Sequence, residues 1–124
     1  MAKAQPEQTI HRDIAEYLAL TCNRAGFYYS TFPGGGLRSK IEARIFKGLG
    51  VKPGVADIMI VGPGGKVYWL EVKTPKTATT KKTLQSPVQK EFQAAMGLLD
   101  SPYAVVRSVD EAAETLKQWG VING

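Results

Sequence analysis

The sequence predicts an α/β fold, a small mixed β-sheet flanked by helices in the order α-β-α-β-β-α-β-α. Three observations carry that expectation. Two hydrophobic runs, residues 57–61 and 66–73, flank a Gly-Pro-Gly-Gly turn and read as an antiparallel hairpin. Segments with apolar residues at three- and four-residue spacing lie before and after it. The stretch from Tyr68 to Arg107 reads strand–helix–strand, and such a connection crosses over right-handed, which makes its two strands parallel.

The elements follow in order. Pro6 suits a first helical turn, and Ile10, Ile14, Ala15 and Leu18 share one face, so a helix is expected from about residue 6 to 23, ending near Gly26. Residues 27–32 are aromatic and β-prone, a first strand, and the Pro33-Gly34-Gly35-Gly36 run breaks it. Leu37, Ile41, Ile45 and Leu49 then define the stripe of a second helix, while Arg38, Lys40, Arg44 and Lys47 fall mostly off it. After the hairpin, residues 74–85 are rich in Thr and Lys without periodicity and read as a mobile loop. Ser86-Pro87 is an N-cap with Pro at the first helical position, and Val88, Phe92, Met96 and Leu99 continue that helix. Residues 103–107 form a short strand. Ser108 with Glu111 three residues on is a capping box for a last helix that ends at Gly120.

With 124 residues the chain has material for one core but not two, so a single domain over residues 1–124 is expected. No apolar run approaches the roughly 20 residues that span a bilayer, and the polar start lacks an apolar signal segment. A membrane partner is therefore not expected. One cysteine, Cys22, leaves no intramolecular disulfide and no cysteine-based zinc site, as befits a cytoplasmic protein. A formal charge of +5 favours a polyanionic partner.

The hairpin carries the chemistry. Side chains alternate along a strand, so Glu71 and Lys73 face one way with Trp69, while Tyr68, Leu70 and Val72 face the core. Asp57 starts the neighbouring strand. A strict four-residue turn over residues 62–65 would pair it with Leu70, on the wrong face. Pairing it with Glu71 needs a five-residue loop or a bulge, and one of these is expected. Two carboxylates a few ångströms apart resist ionising together unless a cation lies between them. All-oxygen ligation suits Mg²⁺ or Mn²⁺, which would polarise a phosphoryl oxygen and acidify a water. Lys73 would hold that water or offset charge on the phosphorane. A surface salt-bridge cluster is the other account of the same residues.

The flanks add to this. Val51-Lys52-Pro53-Gly54-Val55-Ala56-Asp57 leads into the hairpin, Trp69-Leu70-Glu71-Val72-Lys73-Thr74-Pro75 closes it, and Ser86-Pro87-Val88-Gln89 opens the next helix. Together they resemble the VRR-NUC domain family, a branch of the PD-(D/E)xK nuclease superfamily, from about Glu7 to Leu116. The resemblance implies a restriction-endonuclease-like core and a metal-dependent deoxyribonuclease. Carried over, Asp57 and Glu71 are metal ligands aided by the Val72 carbonyl, Lys73 is the catalytic lysine, and Gln89 matches the active-site glutamine. The family also places a Glu on the first helix, usually in Glu-x-x-Ile-Gln. Here Glu7-Gln8-Thr9-Ile10-His11 fits except that His11 replaces the Gln, with Asp13 or Glu16 as substitutes for Glu7. His11 itself is read as a surface or satisfied residue, not a ligand.

For the partner, Arg38, Lys40, Arg44 and Lys47, with Lys76, Lys81 and Lys82 of the Thr-rich loop, would neutralise phosphates without reading bases, or simply form solvated basic surface. Arg107 is placed near the site or DNA. Small standalone phage or prophage members resemble Holliday-junction resolvases that act as homodimers. The resemblance thus implies structure-selective cutting of branched DNA such as four-way junctions, in the cytoplasm of a bacterial or phage-infected cell. A less selective flap or end nuclease, and a non-catalytic DNA-binding module on the same scaffold, are the alternatives.

Overall fold

Helix α1 (Pro6–Ala25) buries Ile14, Leu18 and Cys22, three residues at four-residue spacing that form its inward stripe. They meet the apolar face of a four-stranded sheet made of β1 (Tyr28–Thr31), β2 (Ile58–Val61), β3 (Val67–Val72) and β4 (Tyr103–Val106), in that spatial order. Helices α2 (Lys40–Gly48), α3 (Pro87–Leu98) and α4 (Val109–Trp119) complete the chain. The structure is a computed structural model describing residues 6–32, 40–78 and 81–122. The order of elements is the expected one, with bounds one or two residues inside those read from the sequence for most of them.

β1–β2 and β2–β3 are antiparallel, and β3–β4 is parallel, as the β-α-β connection required. Ile58, Ile60, Tyr68, Leu70, Val72 and Val106 fill the face under α1 and α4, together with Ala112 and Leu116 from α4. Cys22 lies in this cluster, and burial raises its thiol pKa to about 11, so it packs as a small apolar residue. The opposite face carries α3: Phe92 sets its ring edge-on to Trp69 at 5.0 Å and lies 6.0 Å from the Tyr103 ring. Among the described residues no helix is long and apolar enough to cross a membrane.

The hairpin register fixes the site. Val61 pairs with Val67 and Ile58 with Leu70, which leaves residues 62–66 as a five-residue loop containing the 3₁₀ turn Pro63–Gly65. The Gly62 N–H donates to the Lys66 carbonyl at 2.8 Å and closes the loop. Lys66 is therefore loop, not strand. Continued one step, this register sets Asp57 opposite Glu71, on the face the chemistry needs.

Three expectations change. The stripe of α2 is not buried: Ile41, Ile45 and Leu49 are exposed, and none of them belongs to the core that α1, α4 and the sheet form. Leu37, Arg38 and the Gly34–Gly36 run lie outside the described residues, as does the Lys40 side chain. The segment after β3 is not a free loop. Its neck is tied by Thr74, whose N–H donates to Thr83 Oγ1 (2.9 Å) and whose hydroxyl donates to the Lys81 carbonyl (2.8 Å). Arg107 clamps the same neck, one guanidinium nitrogen donating to the carbonyls of Thr74 (2.8 Å) and Thr83 (2.7 Å). The third change is at α4. Ser108 caps the helix by accepting from the Glu111 N–H, but the Glu111 carboxylate reaches back to the Arg107 N–H (2.9 Å) and not to Ser108, so the box is displaced by one residue.

Candidate metal centre

The antiparallel ladder between β2 and β3 stops at Ile58, and the next β3 amide on that side belongs to Val72. Asp57 Oδ2 accepts from it at 2.7 Å. A carboxylate thus replaces the missing strand partner and is pinned at the end of the hairpin. In an extended strand the N–H and C=O of one residue point to the same side, so the Val72 carbonyl also looks toward Asp57.

Glu71 lies one residue earlier with its side chain on the opposite face, and it is fully buried. Its Oε1 accepts a hydrogen bond from the Tyr103 hydroxyl. Its Oε2 is buried with no hydrogen-bond partner. An ionised carboxylate left half-satisfied in the interior is costly, since each unsatisfied buried polar atom forfeits about 1–3 kcal/mol. Lys73 is 8 % exposed and follows Glu71 on the same face. The N-terminal part of α1 brings Glu7 and His11 into the same electrostatic field.

The electrostatics describe one cluster. Burial raises the Asp57 carboxyl pKa; the Val72 N–H, His11 and Lys73 oppose the rise. Burial likewise raises Glu71, against the Tyr103 hydrogen bond and Lys73, with Asp57 and Glu7 pushing it further up. Glu7 is raised by burial and by Asp57, and lowered by Lys73 and His11. Tyr103 is raised well above its ordinary value by burial and by Glu71, so its hydroxyl is a donor at any working pH. Asp57, Glu71 and Glu7 thus act on one another's ionisation, and Lys73 acts on all three.

The donor set fits a small hard ion. Asp57, the unpartnered oxygen of Glu71 and the Val72 carbonyl are all oxygen donors, and Mg²⁺ or Mn²⁺ is commonly held by one or two carboxylates with waters and substrate phosphates completing the shell. Among the described residues no group of three or more His, Cys, Asp or Glu residues stands as a cage of its own.

The other sequence-based assignments fall as follows. Of the α1 acids, Glu7 acts on the cluster, and Asp13 and Glu16 do not figure in it. His11, read as a surface residue, acts on both Asp57 and Glu7. Gln89 spends its side-chain oxygen on the cap of α3, Oε1 accepting from the Ser86 N–H at 2.8 Å. It still reaches the site region through its backbone, because Gly54 packs directly against Val88 and Gln89. Arg44 and Lys47 on α2, and Lys76, Lys81 and Lys82 on the tied loop, are exposed, and none of their charges acts on Asp57, Glu71 or Glu7. The residue the sequence did not offer is Tyr103. Its partnership with Glu71 depends on the β3–β4 register, Trp69 opposite Tyr103 and Glu71 opposite Val105, which no local pattern announces.

No family model matches the chain, and no curated protein sequence is a significant match. Two solved structures are similar to it. One, titled "VRR_NUC domain protein", shares 21% identity, covers 95% of this chain and 90% of its own, and superposes with a TM-score of 0.63. The other, titled "VRR_NUC domain", shares 18% identity, covers 94% and 99%, and gives a TM-score of 0.57. The chain therefore has the fold of a VRR_NUC domain over almost its whole length, a mixed four-stranded sheet of the restriction-endonuclease-like type flanked by helices.

Proposed function

We propose that this chain is a member of the VRR-NUC family and a divalent-metal-dependent deoxyribonuclease that cuts branched DNA, four-way junctions among them, as a single catalytic domain. The observation that carries the reading is the buried, unpartnered Glu71 Oε2 on a strand end shared with Asp57 and Lys73. A purely structural cluster of these residues would satisfy that oxygen. Here it has no hydrogen-bond partner, while the β2–β3 register continued one step sets Asp57 opposite Glu71.

When bound, Mg²⁺ or Mn²⁺ supplies polarisation of a phosphoryl oxygen and acidification of an attacking water. The protein's residues do the rest. Asp57 and Glu71 hold fixed positions because a backbone amide and a phenol occupy their other oxygens. Lys73, nearly buried, offers a localised positive charge to the attacking water or to the charge that grows on the phosphate. Glu7, whose charge acts on Lys73, His11 and Asp57, is suited to take a proton or hold a water at the edge of the site. The exposed lysines 76, 81 and 82 on the tied loop, with Arg44 and Lys47 on α2, supply phosphate contacts that carry no sequence information. A twofold homodimer matches a twofold-symmetric branched substrate, and two-fold dimers are the commonest assemblies.

The test is a panel of four-way, flap, splayed-arm and linear duplex DNA, incubated with and without Mn²⁺, beside Asp57→Ala and Lys73→Ala. Metal-dependent cutting of branched substrates, lost in both variants, is expected. Equal cutting of linear ends would assign a less selective nuclease. Tight junction binding with no cutting in either metal would assign a binding module.

A further inference from the structure

We infer that Tyr103 is the positioning residue of the metal centre: its phenol occupies one oxygen of Glu71, so that Glu71 takes a cation through Oε2 alone, and Gln85 and Gln93 aim the phenol. The inference rests on the reading of Asp57 and Glu71 as metal ligands.

The geometry is a chain of donors with a direction. Gln85 Nε2 donates one hydrogen to Gln93 Oε1 at 2.9 Å and another to Tyr103 Oη at 3.2 Å. An NH₂ group has two hydrogens, so both are committed. With its oxygen accepting from Gln85, the Tyr103 hydroxyl turns its own hydrogen to Glu71 Oε1. The ring that carries this hydroxyl is held by packing against Phe92, 6.0 Å away, on the α3 face of the sheet. The outcome falls on the second carboxylate oxygen, Oε2, which is buried and has no partner.

A carboxylate with both oxygens free can swing between one-oxygen and two-oxygen ligation. With Oε1 held, only the first remains, and a small octahedral ion tolerates little deviation in ligand angle. Partners that orient a ligand in this way typically contribute about 10- to 100-fold in metal affinity. The chain of donors also begins at residue 85, where the tied Thr-Lys segment enters α3. The orientation of Glu71 is thus connected to the docking of the segment that carries Lys76, Lys81 and Lys82.

The test is Mn²⁺ affinity of the full chain without DNA, read as free Mn²⁺ by EPR, for the parent, Tyr103→Phe and Gln85→Ala, with metal-free thermal melts alongside. Removing the hydroxyl keeps the ring and its packing. Tyr103→Phe is expected to weaken Mn²⁺ binding roughly tenfold or more, and Gln85→Ala by a smaller factor, while the metal-free melting temperatures stay close to the parent. Parent-like Mn²⁺ affinity in Tyr103→Phe overturns the inference. Should that variant not fold, Gln85→Ala decides: weakened binding supports the inference and unchanged binding overturns it. A parent that binds no Mn²⁺ overturns the metal centre itself, and the role of Tyr103 with it, a result distinct from a parent that binds and a variant that binds equally well.

Discussion

Gly54 sits against the backbone of Val88 so closely that a Cβ there would lie 2.3 Å from the Val88 carbonyl oxygen and 2.9 Å from the Gln89 nitrogen. Gly54 belongs to the segment that delivers Asp57, and Val88 and Gln89 to the first turn of α3. Two stretches far apart in the chain are thus locked together, and the lock holds the strand end at which Asp57 meets Val72.

Gly54 has φ +86 as well as this contact, whereas Gly64 has a similar φ (+76) and open space around it. Gly64→Ala therefore measures backbone strain alone, on the order of 1–3 kcal/mol. Gly54→Ala adds a collision with backbone that has no rotamer to escape into. Its melting temperature is expected to fall clearly below that of Gly64→Ala. Equal melting temperatures for the two variants would show that the Gly54–Val88 contact is not close in solution.

Asp57 has a structural duty and a proposed chemical one, and two substitutions separate them. Asp57→Asn keeps an acceptor for the Val72 N–H and removes a buried charge, so its metal-free stability should equal or exceed the parent's. Asp57→Ala leaves that amide without its partner, a loss of about 1–3 kcal/mol. Thermal melts in chelator check this. An Asn variant as unstable as the Ala variant would contradict it.

The pH dependence follows from the raised carboxyls. Glu71 and Asp57 titrate above their ordinary 4.5 and 3.8 in the folded chain. The folded state therefore holds these protons more tightly than the unfolded state does. That stabilisation is fully present below the ordinary values and is lost as pH rises through the raised folded ones. Glu71→Gln, which cannot ionise, should lie close to the parent at about pH 4 and gain on it toward about pH 7.5, in melts without metal. A gap that narrows as pH rises would rule out burial of the carboxylate as the cause. Added Mn²⁺ should raise the parent's melting temperature at neutral pH and leave that of Glu71→Gln almost unmoved.

Arg107 holds the carbonyls of Thr74 and Thr83 together. Without it the neck of the lysine-bearing segment keeps the Thr74–Thr83 and Thr74–Lys81 hydrogen bonds but loses this clamp. Arg107→Ala should speed proteolytic cleavage between residues 75 and 82 and flatten the salt dependence of DNA binding, because fewer lysines then meet phosphates at once. Unchanged cleavage and an unchanged salt slope would remove Arg107 from that role.

Much of this fold is legible from local pattern. The stripe Ile14–Leu18, the Ser86-Pro87 start of α3 and the alternation of Tyr68 to Val72 each follow from short-range rules, and each appears where expected. The irregularity of the hairpin was legible too, as a five-residue loop or a bulge, because only an irregular turn sets Asp57 on the face of Glu71; the loop is the one found. What was not legible depends on contacts far apart in sequence. The tie between Thr74 and Arg107 looks like a featureless polar loop until β4 lies beside β3. The Tyr103–Glu71 bond needs the same parallel register. The side-chain oxygen of Gln89 goes to a helix cap instead of the carboxylates, a choice between two uses of one residue that its sequence position cannot decide. The apolar stripe of α2 predicts burial, and it is exposed because α1, α4 and the sheet close the core without it.

If Asp57 and Glu71 hold a divalent ion that this protein uses to cut DNA, single-turnover cleavage of a labelled four-way junction is the decisive assay. The parent and Glu71→Gln are compared, each in Mn²⁺ and in chelator. The parent should cut in Mn²⁺ only, and Glu71→Gln should lose at least about 100-fold, in line with removing a group that stabilises developing charge. Cutting by Glu71→Gln at the parent's rate, or by the parent in chelator, would contradict a metal-dependent centre at these two carboxylates.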